Sequence, residues 1–263
     1  MPLKKQYGPW ALIVGGSEGI GDHLARQLGA AGVNTVMVAR KAETLAETAR
    51  AVREETGAEV RTLSLDIARE DLLERIGEVT EGLDIGLLVH NVGGGASFGP
   101  FVDVPLAAAM NPVLTNCVAL TKLVNRYGKP MAERGRGGIL ILGSLAGNAG
   151  SYMLAGYSAA KAFNQILAEA LWTELQPRGV HVLAFPIGSA DTPSRRRSRT
   201  SDDPAMFVSK PEDIARQALA QLPHGPVYVT PETQAYFQSL MTPNRREAAE
   251  TQRDLLLRML PKR

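Results

Sequence analysis

The chain has 263 residues, 44% hydrophobic and 21% charged, which is enough for one large core in a single α/β domain. A formal charge of +2 excludes a strongly basic footprint, and neither aromatic-interleaved basic stripes nor paired Cys/His spacings mark a nucleic-acid or zinc site. Cys117 is the only cysteine, "MPLKKQYGPW" leads into no secretory segment, and no apolar stretch approaches the ~18 residues needed to span a bilayer; the expectation is a cytoplasmic protein without an integral membrane segment.

In chain order, apolar runs of strand length alternate with segments of helical period. "WALIVG" is the first strand, and "GGSEGIG" turns it into a helix through "DHLARQLGAAG". "NTVMVA" follows as a strand, then a charged amphipathic helix from Ala42 to Thr56 with Gly57 as its stop. "VRTLSL" and "IGLLVH" are the third and fourth strands. From Pro105 to Arg134 the pattern fits one long helix or a broken one, because Pro112 and Pro130 fall inside it. "GGILILG" and "VHVLAFP" are further strands, and "PVYVT" a last short one. Between them, Ser189 to Phe207 is polar, charged and interrupted by prolines, too long for an ordinary connection; it reads as a lid over about residues 189–209. A helical segment at about 243–260 closes the chain. Strands alternating with helices predict a single domain over 1–263, a doubly wound parallel sheet of Rossmann type.

Gly15, Gly19 and Gly21 sit directly after the first strand and at the start of a helix, with Ser17, Glu18 and Ile20 between and around them. Glycine lets a backbone turn sharply and approach a pyrophosphate, and the helix N-terminus offers unpaired N–H groups, so a dinucleotide is the expected occupant. Where a ribose-binding acid would favour NAD, the second strand ends in Ala39 followed by Arg40, which can hold a 2′-phosphate; NADP(H) is therefore favoured over NAD(H). Glu18 works against that preference by charge. Tyr157 and Lys161 lie four apart and share a helix face, an arrangement in which an ammonium stabilises a phenolate. Ser144 follows a strand at the end of the sheet where ligands bind, placed to donate to an oxygen that becomes negative. Asn116 falls in the long helical stretch.

These motifs, in this order, resemble the short-chain dehydrogenase/reductase family. Gly15-x-x-x-Gly19-x-Gly21 looks like its cofactor motif, Asp66 like its adenine-contacting acid, and "HNVGG", with Asn91 and Gly93, like its motif after the fourth strand. Asn116, Ser144, Tyr157 and Lys161 match its catalytic tetrad. The resemblance implies that Tyr157 exchanges the proton, Ser144 orients the substrate oxygen, Lys161 holds the ribose and lowers the tyrosine pKa, and Asn116 supports a water relay. It also implies a homo-oligomer, dimer or tetramer, packed through the helices that carry Asn116 and Tyr157. Departures are Val14, His90 and Val92 around the glycine and asparagine motifs, and Ile187 before Gly188, with Thr192 at the place that meets the nicotinamide carboxamide.

His23, His90, His181 and His224 show no ligand spacing, so no metal is expected. "RRRSR", Arg195 to Arg199, reads as a solvated run, with steering of an anionic thioester as the sharper alternative. Phe98, Met153, Leu154, Met206 and Phe207 are the expected apolar substrate pocket. Together these features predict NADP(H)-linked interconversion of a secondary alcohol and an apolar, hydroxysteroid-like or otherwise bulky ketone. A 3-oxoacyl thioester reductase is the alternative, and a non-catalytic dinucleotide-sensing protein the alternative of another class.

Overall fold

A computed structural model describes residues 3–93, 98–198 and 207–259 of the chain. After the short α1 (Leu3–Tyr7) come β1 (Trp10–Val14), α2 (Ile20–Ala30), β2 (Asn34–Ala39), α3 (Ala42–Thr56), β3 (Val60–Ser64), α4 (Leu72–Thr80) and β4 (Ile85–His90). The second half holds α5 (Leu106–Val113), α6 (Ala119–Glu133), β5 (Gly137–Ser144), α7 (Ala155–Leu175) and β6 (Val180–Ile187). The six strands are parallel, in the order β3-β2-β1-β4-β5-β6. Chain order reverses between β1 and β4, so a crevice opens there at the carboxyl ends of the strands.

Central strands are apolar throughout because both faces are covered: every residue of β1 and of β4 is buried. Trp10, Leu12, Val14 and Leu88 pack with α4, α6 and α7, whereas Ala11, Ile13, Leu87 and Val89 pack with α2, α3 and α9 (Pro211–Gln221 further on). Edge strand β3 instead buries only Val60 and Leu63 and exposes Arg61, Thr62 and Ser64. The "PVYVT" run makes only one ladder step beside β6, through Val227 opposite Ala184. Pro226 has no N–H to donate and Pro231 starts the next helix, which leaves no room for a strand.

The Ala42–Thr56 helix ends as expected, with Gly57 in the left-handed region at φ 70°. The Pro105–Arg134 stretch is continuous but not uniform: α5 passes through a π turn, Leu114–Val118, into α6. The extra residue in the winding follows Pro112, whose ring removes a backbone donor. Leu106–Glu133 as a whole is long and apolar enough to cross a membrane by length and composition, which corrects the expectation that no stretch is. Here Leu120, Leu123, Val124 and Met131 are spent on the sheet.

Beyond β6, β7 (Ser189–Ala190) pairs with β8 (Val208–Ser209), and α8 (Pro193–Ser198) lies between them, so the expected lid is pinned at its base. Met206 and Arg199 lie outside the described residues. α9, α10 (Pro231–Leu240) and α11 (Arg245–Met259) complete the order, the last agreeing with the expected C-terminal helix.

Candidate active site

A cleft of about 740 Å³ runs along the carboxyl ends of the strands. Gly15, Ser17, Glu18, Ile20, Arg40, Asp66, Asn91, Gly93, Gly188 and Thr192 line it, as do Ser144, Tyr157 and Lys161. Gly19 and Gly21 shape it from behind. A side chain at Gly15, whose φ is 90°, would bring its Cβ to 2.0 Å from the Asn91 carbonyl oxygen, and one at Gly21 to 2.0 Å from that of Gly15. Only bare backbone lets the turn nest against β4, and Asn91 then fastens it: its amide donates to the Gly15 carbonyl at 2.8 Å. The resulting hollow at the N-terminus of α2 suits a pyrophosphate.

Arg40 and Lys41 line the end of the cleft beyond β2, and Leu65 and Ile67 flank Asp66 on the neighbouring wall. Glu18 is not left to oppose a phosphate on its own, because Arg197 of α8 forms an ion pair with it. Arg196 is likewise held by Asp191, at 2.9 and 2.7 Å. Both arginines stay exposed while paired, as a solvated run would be; Arg195 lines the cleft.

The chemical groups come from two elements, β5 and α7. Ser144 ends β5, and its Oγ accepts a 3.2 Å bond from the Ala146 N–H in the 3-10 turn Leu145–Gly147. Gly147 has no side chain, so this turn seats directly on the α7 backbone at Lys161, where a Cβ would fall 2.7 Å from the Lys161 carbonyl carbon. Tyr157, two residues into α7, lines the cleft with Ser144, whose side chain favours ionisation of the phenol. Lys161, one turn on, is only 2% exposed and donates to the carbonyls of Val92 (2.7 Å) and Leu142 (3.0 Å), just past β4 and within β5.

Burial rules both ionisations. It lowers the Lys161 ammonium to about 7 and raises the Tyr157 phenol, an effect that the Ser144 side chain partly offsets. The lysine therefore does not pull the phenol down here, contrary to expectation: its Nζ lies 5.8 Å from the tyrosine ring centre and is turned to the two carbonyls. In this state the proton rests on tyrosine, and the group is an acid.

Asn116 sits buried in the π turn, outside the cleft lining. Its amide donates to Thr115 Oγ1 at 3.0 Å, and Asn164 of α7, in its better-satisfied amide orientation, donates to the Asn116 backbone carbonyl at 2.7 Å. Asn116 thus ties α6 to α7 behind Lys161 rather than bonding the ammonium itself. His90 ends β4 fully buried on the same face, with neither ring nitrogen hydrogen-bonded. Burial, reinforced by the Lys161 charge, depresses it to about 3, so it is neutral beside the lysine.

On the substrate side, Met153 borders a small apolar recess with Tyr157, Phe101, Val104 and Pro112. Met153 and Phe207 both have φ near 57–58°, a costly conformation for such residues. Phe207 packs on Tyr236, while Phe98 is exposed and Leu154 caps α7. Phe101 and Val104 escaped the sequence reading, although "FVDVP" places apolar residues just ahead of the long helix. Asn111 of α5 and Thr115 of the π turn also line the cleft unforeseen.

The model of the family described as short chain dehydrogenase matches residues 9–203. A 7beta-hydroxysteroid dehydrogenase of Clostridium sardiniense is 32% identical over 223 residues, spanning 84% of this chain and 85% of that one. A very-long-chain 3-oxoacyl-CoA reductase of Pyricularia oryzae is 35% identical over 222 residues, 82% of this chain but 65% of that longer protein. Among solved structures, a short-chain dehydrogenase from Sphingobium yanoikuyae in complex with NADPH aligns with a TM-score of 0.78 at 28% identity, over 97% of each chain.

The state of His90 sets a pH dependence. Its folded value near 3 lies below its ordinary 6.5, so on acidification the unfolded chain takes up the proton first. The stability it contributes is complete above pH 6.5 and is lost as pH falls towards 3. Urea unfolding of wild type and His90→Asn across this range should show the steeper loss in wild type; parallel curves would contradict the assignment.

Proposed function

The chain belongs to the short-chain dehydrogenase/reductase family, and from that premise we propose that it reduces an apolar, bulky ketone to a secondary alcohol with NADPH, the reaction being reversible. The observation that carries this reading is the meeting of Ser144, Tyr157 and Lys161 at the end of a cleft whose other end is built for a dinucleotide.

The cofactor would be held by the glycine turn at its pyrophosphate, by Asp66 at the adenine, by Arg40 at the 2′-phosphate, and by Lys161 with Gly188 and Thr192 towards the nicotinamide. When bound, it supplies a hydride. The chain supplies the rest: Ser144 donates to the carbonyl oxygen and holds it beside Tyr157, and the phenol, kept protonated by burial, gives that oxygen its proton. Lys161, near neutrality at about 7, is poised to return a proton to the phenolate, and Asn116 holds the helices behind it.

Arg40 favours NADP(H), and the exposed ion pair of Glu18 with Arg197 offsets part of the charge that argues otherwise. The likeness to a 7beta-hydroxysteroid dehydrogenase supports a steroid-like or similarly bulky ketone, with Phe101, Val104, Pro112 and Met153 offering apolar contacts beside Tyr157. A long-chain 3-oxoacyl thioester is the second reading, supported by the likeness to 3-oxoacyl-CoA reductases; commitment of Arg196 and Arg197 to carboxylates weakens the idea that the lid steers its phosphates. Met110, Val118, Phe163 and Ile166 leave apolar surface exposed on the helices flanking Asn116 and Tyr157, as a homo-oligomer would need. The single cysteine, Cys117, suits the reducing cytoplasm.

Tyr157→Phe keeps the ring and removes the proton, so ketone-dependent oxidation of NADPH, followed at the nicotinamide absorbance, should fall by about 10²-fold or more with NADPH binding nearly intact. Turnover near wild type would refute the role, and the absence of turnover from wild type on a broad ketone panel would favour a dinucleotide sensor. Arg40→Ala should weaken NADPH about ten- to a hundredfold, the worth of a charge-assisted bond, and NADH far less. Equal losses measured by fluorescence titration would put Arg40 outside the phosphate site.

A further inference from the structure

The turn that carries Ser144 is gripped from outside by the C-terminal helix. Gln252 of α11 is 4% exposed, and its amide donates to the Leu145 carbonyl at 3.1 Å, one residue past Ser144. Two helical turns earlier on α11, Arg245 donates to the Asn148 carbonyl at 2.9 Å and to the Leu240 carbonyl at 2.8 Å. Residues seven apart share a helix face, so one side of α11 holds both ends of the turn. Within the turn, the Asn148 N–H also bonds the Leu145 carbonyl, and the Ala146 N–H bonds Ser144 Oγ. Moving Leu145 therefore moves the serine hydroxyl.

Gln252 is itself held. Its side-chain oxygen accepts from the Tyr236 hydroxyl at 3.0 Å, and the Tyr236 ring packs on Phe207, centroids 5.5 Å apart, at the foot of the lid. Phe207 keeps its left-handed backbone there, and its carbonyl stands against Gly188, where any side chain would come within 2.9 Å. α11 is otherwise mostly polar, with mainly Ala248 and Gln252 turned inward. A buried glutamine on such a helix is a costly choice for packing alone, since every polar atom must be satisfied.

We propose that Gln252 is a positioning residue: through the Leu145 carbonyl it fixes the Ser144 hydroxyl towards the substrate oxygen, and through Tyr236 it couples that orientation to the lid at Phe207. The proposal rests on the role of Ser144 given above. It makes α11, which lines neither described pocket, part of the reaction machinery.

The test is a double-mutant cycle on NADPH-dependent ketone reduction, with product measured over hours so that slow variants remain quantifiable. Gln252→Leu should lower kcat about tenfold while the NADPH affinity stays within about twofold, because the shape is kept and only the grip on the turn is lost. In a Ser144→Ala background the same substitution should change kcat by less than about twofold, since the group it orients is gone. An equal loss in both backgrounds, or none in either, would overturn the proposal. Should Gln252→Leu fail to fold, Tyr236→Phe, which keeps the stacking ring and frees the amide, replaces it: a loss of about threefold, masked by Ser144→Ala, is expected, and an unmasked or absent loss overturns the proposal. Ser144→Ala alone tests the underlying reading, because wild-type turnover from it would refute the serine's role whatever Gln252 does.

Discussion

A lysine ammonium buried where two strands end is the constraint on which the rest of this molecule turns. Lys161 is almost wholly withdrawn from water, and what compensates the loss of hydration is a pair of backbone carbonyls, Val92 beyond β4 and Leu142 in β5. Those acceptors lie close together because β4 and β5 are parallel neighbours, His90 at the end of β4 standing opposite Ile141, one residue before Leu142. The compensation is incomplete, so the lysine drops to about 7, and the phenol beside it is raised by its own burial. One structural fact, burial at a strand end, thus sets a tyrosine that keeps its proton and a lysine able to exchange one near neutral pH.

Around this pair the fold arranges its parts with little slack. Asn91 follows β4 directly, so the strand whose end supplies a carbonyl to Lys161 also fastens the glycine turn after β1. Gly147 seats the Ser144 turn on the α7 backbone at Lys161, and α11 closes over that turn from the far side. Thr192 reaches the glycine turn from the lid, where its methyl group occupies the space that a side chain at Gly19 would need. Cofactor turn, serine turn and lid are therefore each braced against a neighbour, a condition for holding reacting groups in one geometry.

The repeating alternation of apolar runs and amphipathic helices made the parallel sheet legible, since strands buried on both faces need uninterrupted apolar sequence. The cofactor end was legible for the same reason: glycine at 15, 19 and 21 answers a steric demand that no other residue meets. What the sequence hid was tertiary. Pro112 marked a possible break in the long helix, but not that the winding there takes in an extra residue, which sets Asn116 and Thr115 in a π turn. The ion pair of Glu18 with Arg197 joins residues 179 positions apart, a proximity that no local pattern reveals. The pKa relation between Tyr157 and Lys161 was misjudged because spacing reveals proximity but not burial.

The central claim is that hydride passes from NADPH to the carbonyl carbon of a bulky ketone held beside Tyr157. Supplying NADPH that carries deuterium at the transferring C4 position, with a ketosteroid as acceptor, tests it directly by mass spectrometry of the product. One deuterium on the new carbinol carbon is the expected result. Alcohol formed without deuterium, or no reduction of any ketone while NADPH binds, would contradict it.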